Sequence, residues 1–455
     1  MGLARGRELG RVAGVKGGSH SAKGRIHYAW VVAGVTFLTL LAAAGGRAAP
    51  GVMIIPVCNE FQWSRATVSS IVAINIFLYG LIGPFAAALY QSMGLRRTML
   101  LAMALIAAGY GLSTLATAYW QFVLLWGVVV GAGSGMAATV LGAAVATRWF
   151  TERRGLVTGL LTASTATGQL IFLPSLAQMV TAHGWRGAPW VVCAGALAAL
   201  PVIGFFMRDD PQDVGLQAYG EVQDEAVSDA DGRPKGRPYI EPGAAVRARG
   251  NPAKQAIDTL LAAVRVRDFW LLAGSFFVCG ASTNGLIGTH LVSAAFDCGI
   301  PEVRSASLLA MMGLFDLLGT TASGWLSDRF NCRYLLAMYY GLRGLSLLFL
   351  PTALVGPSVG LMVFGVFYGL DWIATVPPTV RLTGEIFGRE RAGIVFGWIV
   401  AAHQLGAAFA AYGAGWLRTT TGAYTVAFMT AGALCLGAAV GVLPVGRTRK
   451  AAPAI

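Results

Sequence analysis

Apolar residues in this chain arrive in long runs, and that pattern leaves few folds open. Stretches of about 20 or more apolar residues, enough for a helix to cross a hydrocarbon core of about 30 Å, recur twelve times between turn or charge clusters. They predict helices at about 28–56, 66–93, 97–116, 119–147, 155–182, 187–207, 268–297, 303–326, 333–352, 358–384, 391–418 and 423–444. Only 12% of residues are charged, against roughly a quarter in soluble domains, which argues against a water-soluble enzyme. The 60 glycines lie inside the apolar runs without a three-residue period, as in close-packed membrane helices rather than collagen. The predicted class is an all-α membrane protein.

The net charge of +13 matters less than where the basic residues fall. With the N-terminus inside, 28 of the 34 Lys and Arg lie in the tails or in gaps on one side, and Arg65, Arg186, Arg304 and Arg418 lie on the other. The positive-inside rule then predicts that both termini are cytoplasmic. The first 27 residues are basic without an apolar core and read as a tail, not a cleaved leader. The one long gap, 208–266, is polar without helical periodicity and reads as a linker. The predicted organisation is a tail at 1–27, a six-helix bundle at 28–207, the cytoplasmic linker at 208–266, a second six-helix bundle at 267–446 and a tail at 447–455.

The bundles are repeats of each other. Gly83 to Arg97 (GPFAAALYQSMGLRR) matches Gly319 to Arg333 (GTTASGWLSDRFNCR) at an offset of 236, and FTERRG at Phe150 matches FGRERAG at Phe387. Duplicated halves predict a site between them at mid-membrane and rocking of one half on the other.

The segment GWLSDRFNCR (Gly324 to Arg333) resembles the signature loop of the major facilitator superfamily, Gly-x-x-x-Asp-Arg-x-Gly-Arg-Arg, with Asn331 at the second glycine position. In the first half Ala87, Gln91 and Ser92 replace the Gly, Asp and Arg. The resemblance implies the major facilitator fold, twelve transmembrane helices in two pseudo-symmetric six-helix bundles, and a gating role for Asp328 and Arg329. The first and eighth helices are similar to those of monocarboxylate and oxalate/formate-type porters, whose first-helix cation and eighth-helix Asp fall on Arg47 and Asp316. The Arg often found four residues after that Asp is Thr320 here.

Charge at bilayer depth costs about 2.5–3.5 kcal/mol per side chain, so each buried charge calls for a partner, a wet cavity or a task. Arg47, in GGRAAPG, lies inside the first helix, where the glycines and Pro50 permit a local break. Its guanidinium stays charged and offers a fork matched to a carboxylate, which predicts organic-anion binding; the competing reading is an ion pair with Asp316 or Asp371. Asp316 and Asp371, near the midpoints of the eighth and tenth helices, are candidates for proton coupling, with neutralisation of Arg343 as the alternative. Asn284, His290, Tyr368, His403 and Gln404 are candidate substrate contacts. Asn75 reads as interhelical glue and Gly127, Gly131 and Gly135 as a packing stripe. Trp63, Trp120, Trp149, Trp185 and Trp416 fall near span ends as interface anchors do. The cysteines show no ligand spacing; Cys193, Cys279 and Cys435 read as small hydrophobes, and a Cys58–Cys298 disulfide is conceivable.

No nucleophile elbow, nucleotide loop or zinc motif appears, and no cofactor or metal is predicted. The leading function is a proton-coupled secondary transporter of a small mono- or dicarboxylate, monomeric, in the plasma (inner) membrane, with protons, the anion and the lipid bilayer as partners and no nucleic acid. Proton-driven drug or metabolite efflux is the alternative, although GLLTASTATGQLIFLP in the fifth helix lacks the Gly-x-x-x-Gly-Pro-x-x-Gly-Gly signature of drug antiporters in that superfamily. A transporter-like sensor signalling through 208–266 is the reading from another class.

Overall fold

A computed structural model of the chain describes residues 27–221 and 252–446; positions 1–26, 222–251 and 447–455, and the side chains of Ala87, Gln91 and Gln169, lie outside it. A helical segment occupies every interval predicted as a span. They are α1 (Tyr28–Phe61), α2 (Arg65–Ser92), α3 (Leu95–Ser113), α4 (Tyr119–Trp149), α5 (Arg154–His183), α6 (Gly187–Phe206), α7 (Arg267–Asp297), α8 (Glu302–Arg329), α9 (Cys332–Val355), α10 (Ser358–Phe387), α11 (Arg389–Thr421) and α12 (Thr425–Gly441). Among the described residues ten helices are long and apolar enough to cross a membrane, a set that omits α5 and the 17-residue α12.

Among the described residues the halves meet chiefly along three helix pairs: α1 with α7, α2 with α11, and α5 with α8. Inside the first half the glycine stripe works as predicted. Gly127, Gly131 and Gly135 press α4 onto Ile74, Asn75 and Ile82 of α2, where a Cβ would come within about 3 Å, and Asn75 donates to the Trp126 carbonyl at 2.6 Å. In the second half Gly369 of α10 meets the Met312 carbonyl of α8 in the same way.

Two expectations change. The linker is not wholly irregular: Pro252–Ala263 is a helix that touches both α2 and α11, because Ala256, Leu260 and Ala263 recur at i, i+4 and i+7. Trp398 of α11 donates its indole N–H to the Ala256 carbonyl at 2.9 Å. Trp149 and Trp185 stand at helix ends, as predicted, but are buried against protein; Trp149 packs on Tyr28, and Trp185 donates to Glu60. Cys58 and Cys298 are both free thiols.

Candidate functional site

α10 cannot run straight. Pro377 and Pro378 have no N–H to give to the carbonyls four residues earlier and crowd them, so the helix opens into turns at Trp372–Thr375. Open backbone at this depth has no water to turn to and must be satisfied by protein. The Ile373 carbonyl takes the Val376 N–H at 2.9 Å, and the Ala374 carbonyl takes the Ser323 hydroxyl at 2.5 Å. Arg343 of α9 donates Nη2 to the carbonyls of Asp371 and Trp372 at 2.6 and 3.3 Å. Asp316 of α8 accepts the Ile373 N–H at 2.9 Å.

The two charges that sequence placed separately thus serve one break. Arg343 is 0% exposed; its Nε donates to Asp371 Oδ2 at 2.7 Å and its Nη1 to Cys279 Sγ at 2.8 Å. Asp371 therefore sits in the ion pair that sequence named as the alternative to proton coupling. Cys279 corrects its reading as a plain small hydrophobe, since a guanidinium donates to it and the Thr375 hydroxyl lies 3.4 Å away. Asp316, 4% exposed, also accepts the Thr320 hydroxyl at 2.9 Å. Thr320, which stands where the resembling porters often carry Arg, is the neighbour that sequence reasoning undervalued.

Arg47 sits on a different geometry from the one expected. α1 is continuous through Gly45, Gly46 and Pro50, so the local break that these residues permit is not made. Pro50 leaves the Gly46 carbonyl without its helical donor, and the Tyr110 hydroxyl of α3 donates to it instead. The Arg47 guanidinium lies 5.5 Å over the Tyr79 ring of α2, with Nη1 3.4 Å from the Tyr79 hydroxyl. Tyr79 carried no sequence signal. Its neighbour Gly80 packs so closely on Gln404 of α11 that a Cβ would meet the Gln404 side chain. Gly80 and Gln404 thus form a contact between the halves; Tyr79 and His403 are their chain neighbours, and Arg47 reaches the first of these. His403 packs on Phe276 at 5.1 Å, and its Nδ1 is buried without a partner.

Asn284 lies in a widened turn of α7, Ala281–Ile287, as the half-exposed residue in an otherwise buried stretch. His290 and Tyr368 are closed in by protein. His290 is fully buried, with Nε2 2.7 Å from the Ala411 carbonyl and Nδ1 3.2 Å from the Tyr424 hydroxyl. Tyr368 is buried and donates to the Ser282 carbonyl at 2.9 Å. At the predicted inner end, Asp328 pairs with Arg381 of its own half at 3.4 Å, and Arg329 lies 4.0 Å over Trp325. At the other end, Asp297 of α7 is held by Arg418 at 2.6 Å and by Arg65 of α2 at 3.4 Å, an ion bridge across the halves. The Ala66 N–H donates to the Thr419 hydroxyl beside it at 3.2 Å.

Comparison with known proteins meets this geometry at the level of family. The chain is 28% identical to monocarboxylate transporter 12-B of Danio rerio over 77% of this chain and 73% of that one. It is 27% identical to monocarboxylate transporter 13 of Rattus norvegicus over 91% and 88%, and 25% identical to the uncharacterized MFS-type transporter YcxA of Bacillus subtilis (strain 168) over 87% and 90%. The xylose transporter XylE from E. coli, in a partially occluded inward open conformation, superposes with a TM-score of 0.67 at 15% identity, covering 91% of this chain and 96% of XylE. The family model of the Major Facilitator Superfamily matches residues 35–411 and again 306–454, and with the helical architecture above this shows that the chain is a transporter of that superfamily.

Proposed function

We propose that this transporter moves a small organic anion, a mono- or dicarboxylate, together with a proton, by alternating access. The observation that carries the reading is Arg47, a permanent cation on α1 whose partner Tyr79 immediately precedes Gly80, a residue of the α2–α11 contact between the halves. A guanidinium there offers two parallel N–H groups to a carboxylate, and Tyr79 sets its angle. Relatives named monocarboxylate transporters support this substrate class.

Asp316 is the proton carrier in this reading. Its described hydrogen bonds come from neutral donors, the Thr320 hydroxyl and the Ile373 amide, so protonation of the carboxyl removes a charge without breaking an ion pair. Asp371, tied to Arg343, serves the fold of α10 first. Asn284, His403 and Gln404 line the path of the anion, while His290 and Tyr368 brace the walls behind it. Arg65, Asp297 and Arg418 latch the outer end, and Asp328 and Arg329 form the inner latch when the halves rock. The carrier works as a monomer in the plasma membrane with both termini in the cytoplasm.

Uptake into proteoliposomes tests the reading. Labelled monocarboxylate should accumulate when the outside is acidified, and unlabelled carboxylates should compete. Equal uptake with and without the pH gradient removes the proton, and indifference to carboxylates removes the substrate class.

A further inference from the structure

The Arg343 cluster contains more acid than one cation needs. A fully buried guanidinium requires one anion, and two acidic groups touch it: the Asp371 carboxyl through Oδ2 at 2.7 Å and the Cys279 thiol through Sγ at 2.8 Å. Two deprotonated groups would leave an excess negative charge in the bilayer, and none would leave the cation bare; both are costly. Asp371 Oδ1 is buried with no hydrogen-bond partner, an open position for a proton.

We infer that Asp371 and Cys279 are alternative counter-anions of Arg343 that share one proton, so that the cluster is a neutral proton-holding site distinct from Asp316. In one arrangement Asp371 is a carboxylate and Cys279 a thiol. In the other the proton has left Sγ and sits on Asp371 Oδ1, leaving a thiolate and a carboxylic acid; one proton is exchanged and the net charge is unchanged. The choice has a structural consequence. Cys279 lies two residues before the widened turn Ala281–Ile287 of α7, and Asp371 immediately precedes the break in α10. The proton's position decides which of these two irregular segments is tied by charge to α9, a two-state element in the middle of the second half.

Other ionisable groups approach the pair from each neighbouring helix: Asp316 from α8, Tyr340 from α9, Tyr368 from α10, His403 from α11 and Cys435 from α12. Tyr340 and His403 Nδ1 each carry a buried polar atom without a partner, and His403 adjoins Gln404 at the contact between the halves. That places an imidazole between the shared proton and the seam.

The inference stands apart from the substrate reading, and its test needs no transport. Thermal unfolding of Cys279→Ser, Asp371→Asn and the double variant should be strongly non-additive: each single variant keeps one anion and stays folded, and the double loses most of its folded protein. Additive losses, or an Asp371→Asn protein that fails as fully as the double, overturn the proposal. Infrared spectroscopy gives the second reading on Asp371→Asn alone. The Cys279 S–H band, identified in acidified wild-type protein by its loss in Cys279→Ser, should be missing from Asp371→Asn at neutral pH, because the thiolate is then the sole anion of the pair. A persistent S–H band overturns it.

Discussion

The halves share a backbone defect and repair it by opposite means. α4 opens at Ala137–Ala138 and α10 at Trp372–Thr375, matching positions in a repeat offset by 236, since Ala137 corresponds to Ile373. In the first half the Met136 carbonyl at the break takes a neutral donor, the Tyr90 hydroxyl, at 2.5 Å. In the second half the break is held by Arg343 and Asp316, with Asp371 and Cys279 around the cation. A hydroxyl would satisfy one carbonyl at far lower desolvation cost than a guanidinium. The second half retains charge where the first folds a broken helix without it, a difference that the proposed proton roles of Asp316 and Asp371 would explain.

Removing the donors should expose the contrast most strongly. Arg343→Met leaves the Asp371 carboxylate and two carbonyls unpaired and should destabilise the protein by about 3–5 kcal/mol, as for a broken buried ion pair. Thermal unfolding in detergent checks it; a near-neutral effect would equate the two breaks.

Arg47→Ala should come next, and on function rather than fold. Loss of a charged hydrogen-bonding partner of about 1.5–3 kcal/mol weakens carboxylate binding roughly tenfold to hundredfold, measured as the substrate concentration that protects against unfolding, with the unliganded melting temperature little changed.

Asp316→Asn sharpens the assignment inside the second half. The amide oxygen can still accept from Thr320 and Ile373, so α10 should stay folded and carboxylate exchange persist, while stimulation of uptake by outside acid disappears. Uptake that keeps its pH dependence would move the proton to the Arg343 cluster.

In the first half, Tyr90→Phe removes one neutral hydrogen bond and should cost about 1 kcal/mol, the smallest effect of the series. A loss as large as that of Arg343→Met would end the comparison.

How much of this was legible in the sequence follows from which signals are local. The apolar runs, the repeat and the signature loop fixed the fold class, because span length and basic loops act independently of tertiary contacts. Pro377 and Pro378 stand in the sequence as a helix breaker, yet the 358–384 run read as one span since its apolar character continues through them. The break in α4 had only glycines to announce it. Arg343 stands out as a charge that Asp316 or Asp371 could neutralise, but its partners come from α7 and α10, which lie 64 and 28 residues away, so Cys279 reads like any small apolar residue. Arg47 was singled out by its charge, whereas Tyr79 is one more aromatic in an apolar helix until α1 and α2 are placed side by side. His290 shows the limit from the other side: an imidazole at membrane depth suggested substrate, and in the fold both ring nitrogens meet groups of α11 and of Tyr424.

The most direct test of the account compares wild type, Arg47→Ala and Asp316→Asn in one assay, labelled monocarboxylate uptake into proteoliposomes with and without an inward proton gradient. The account predicts gradient-driven accumulation by wild type, uptake by Arg47→Ala lowered roughly tenfold or more at sub-saturating substrate, and exchange without gradient-driven accumulation by Asp316→Asn. Gradient-driven uptake by Arg47→Ala at the wild-type rate would contradict it.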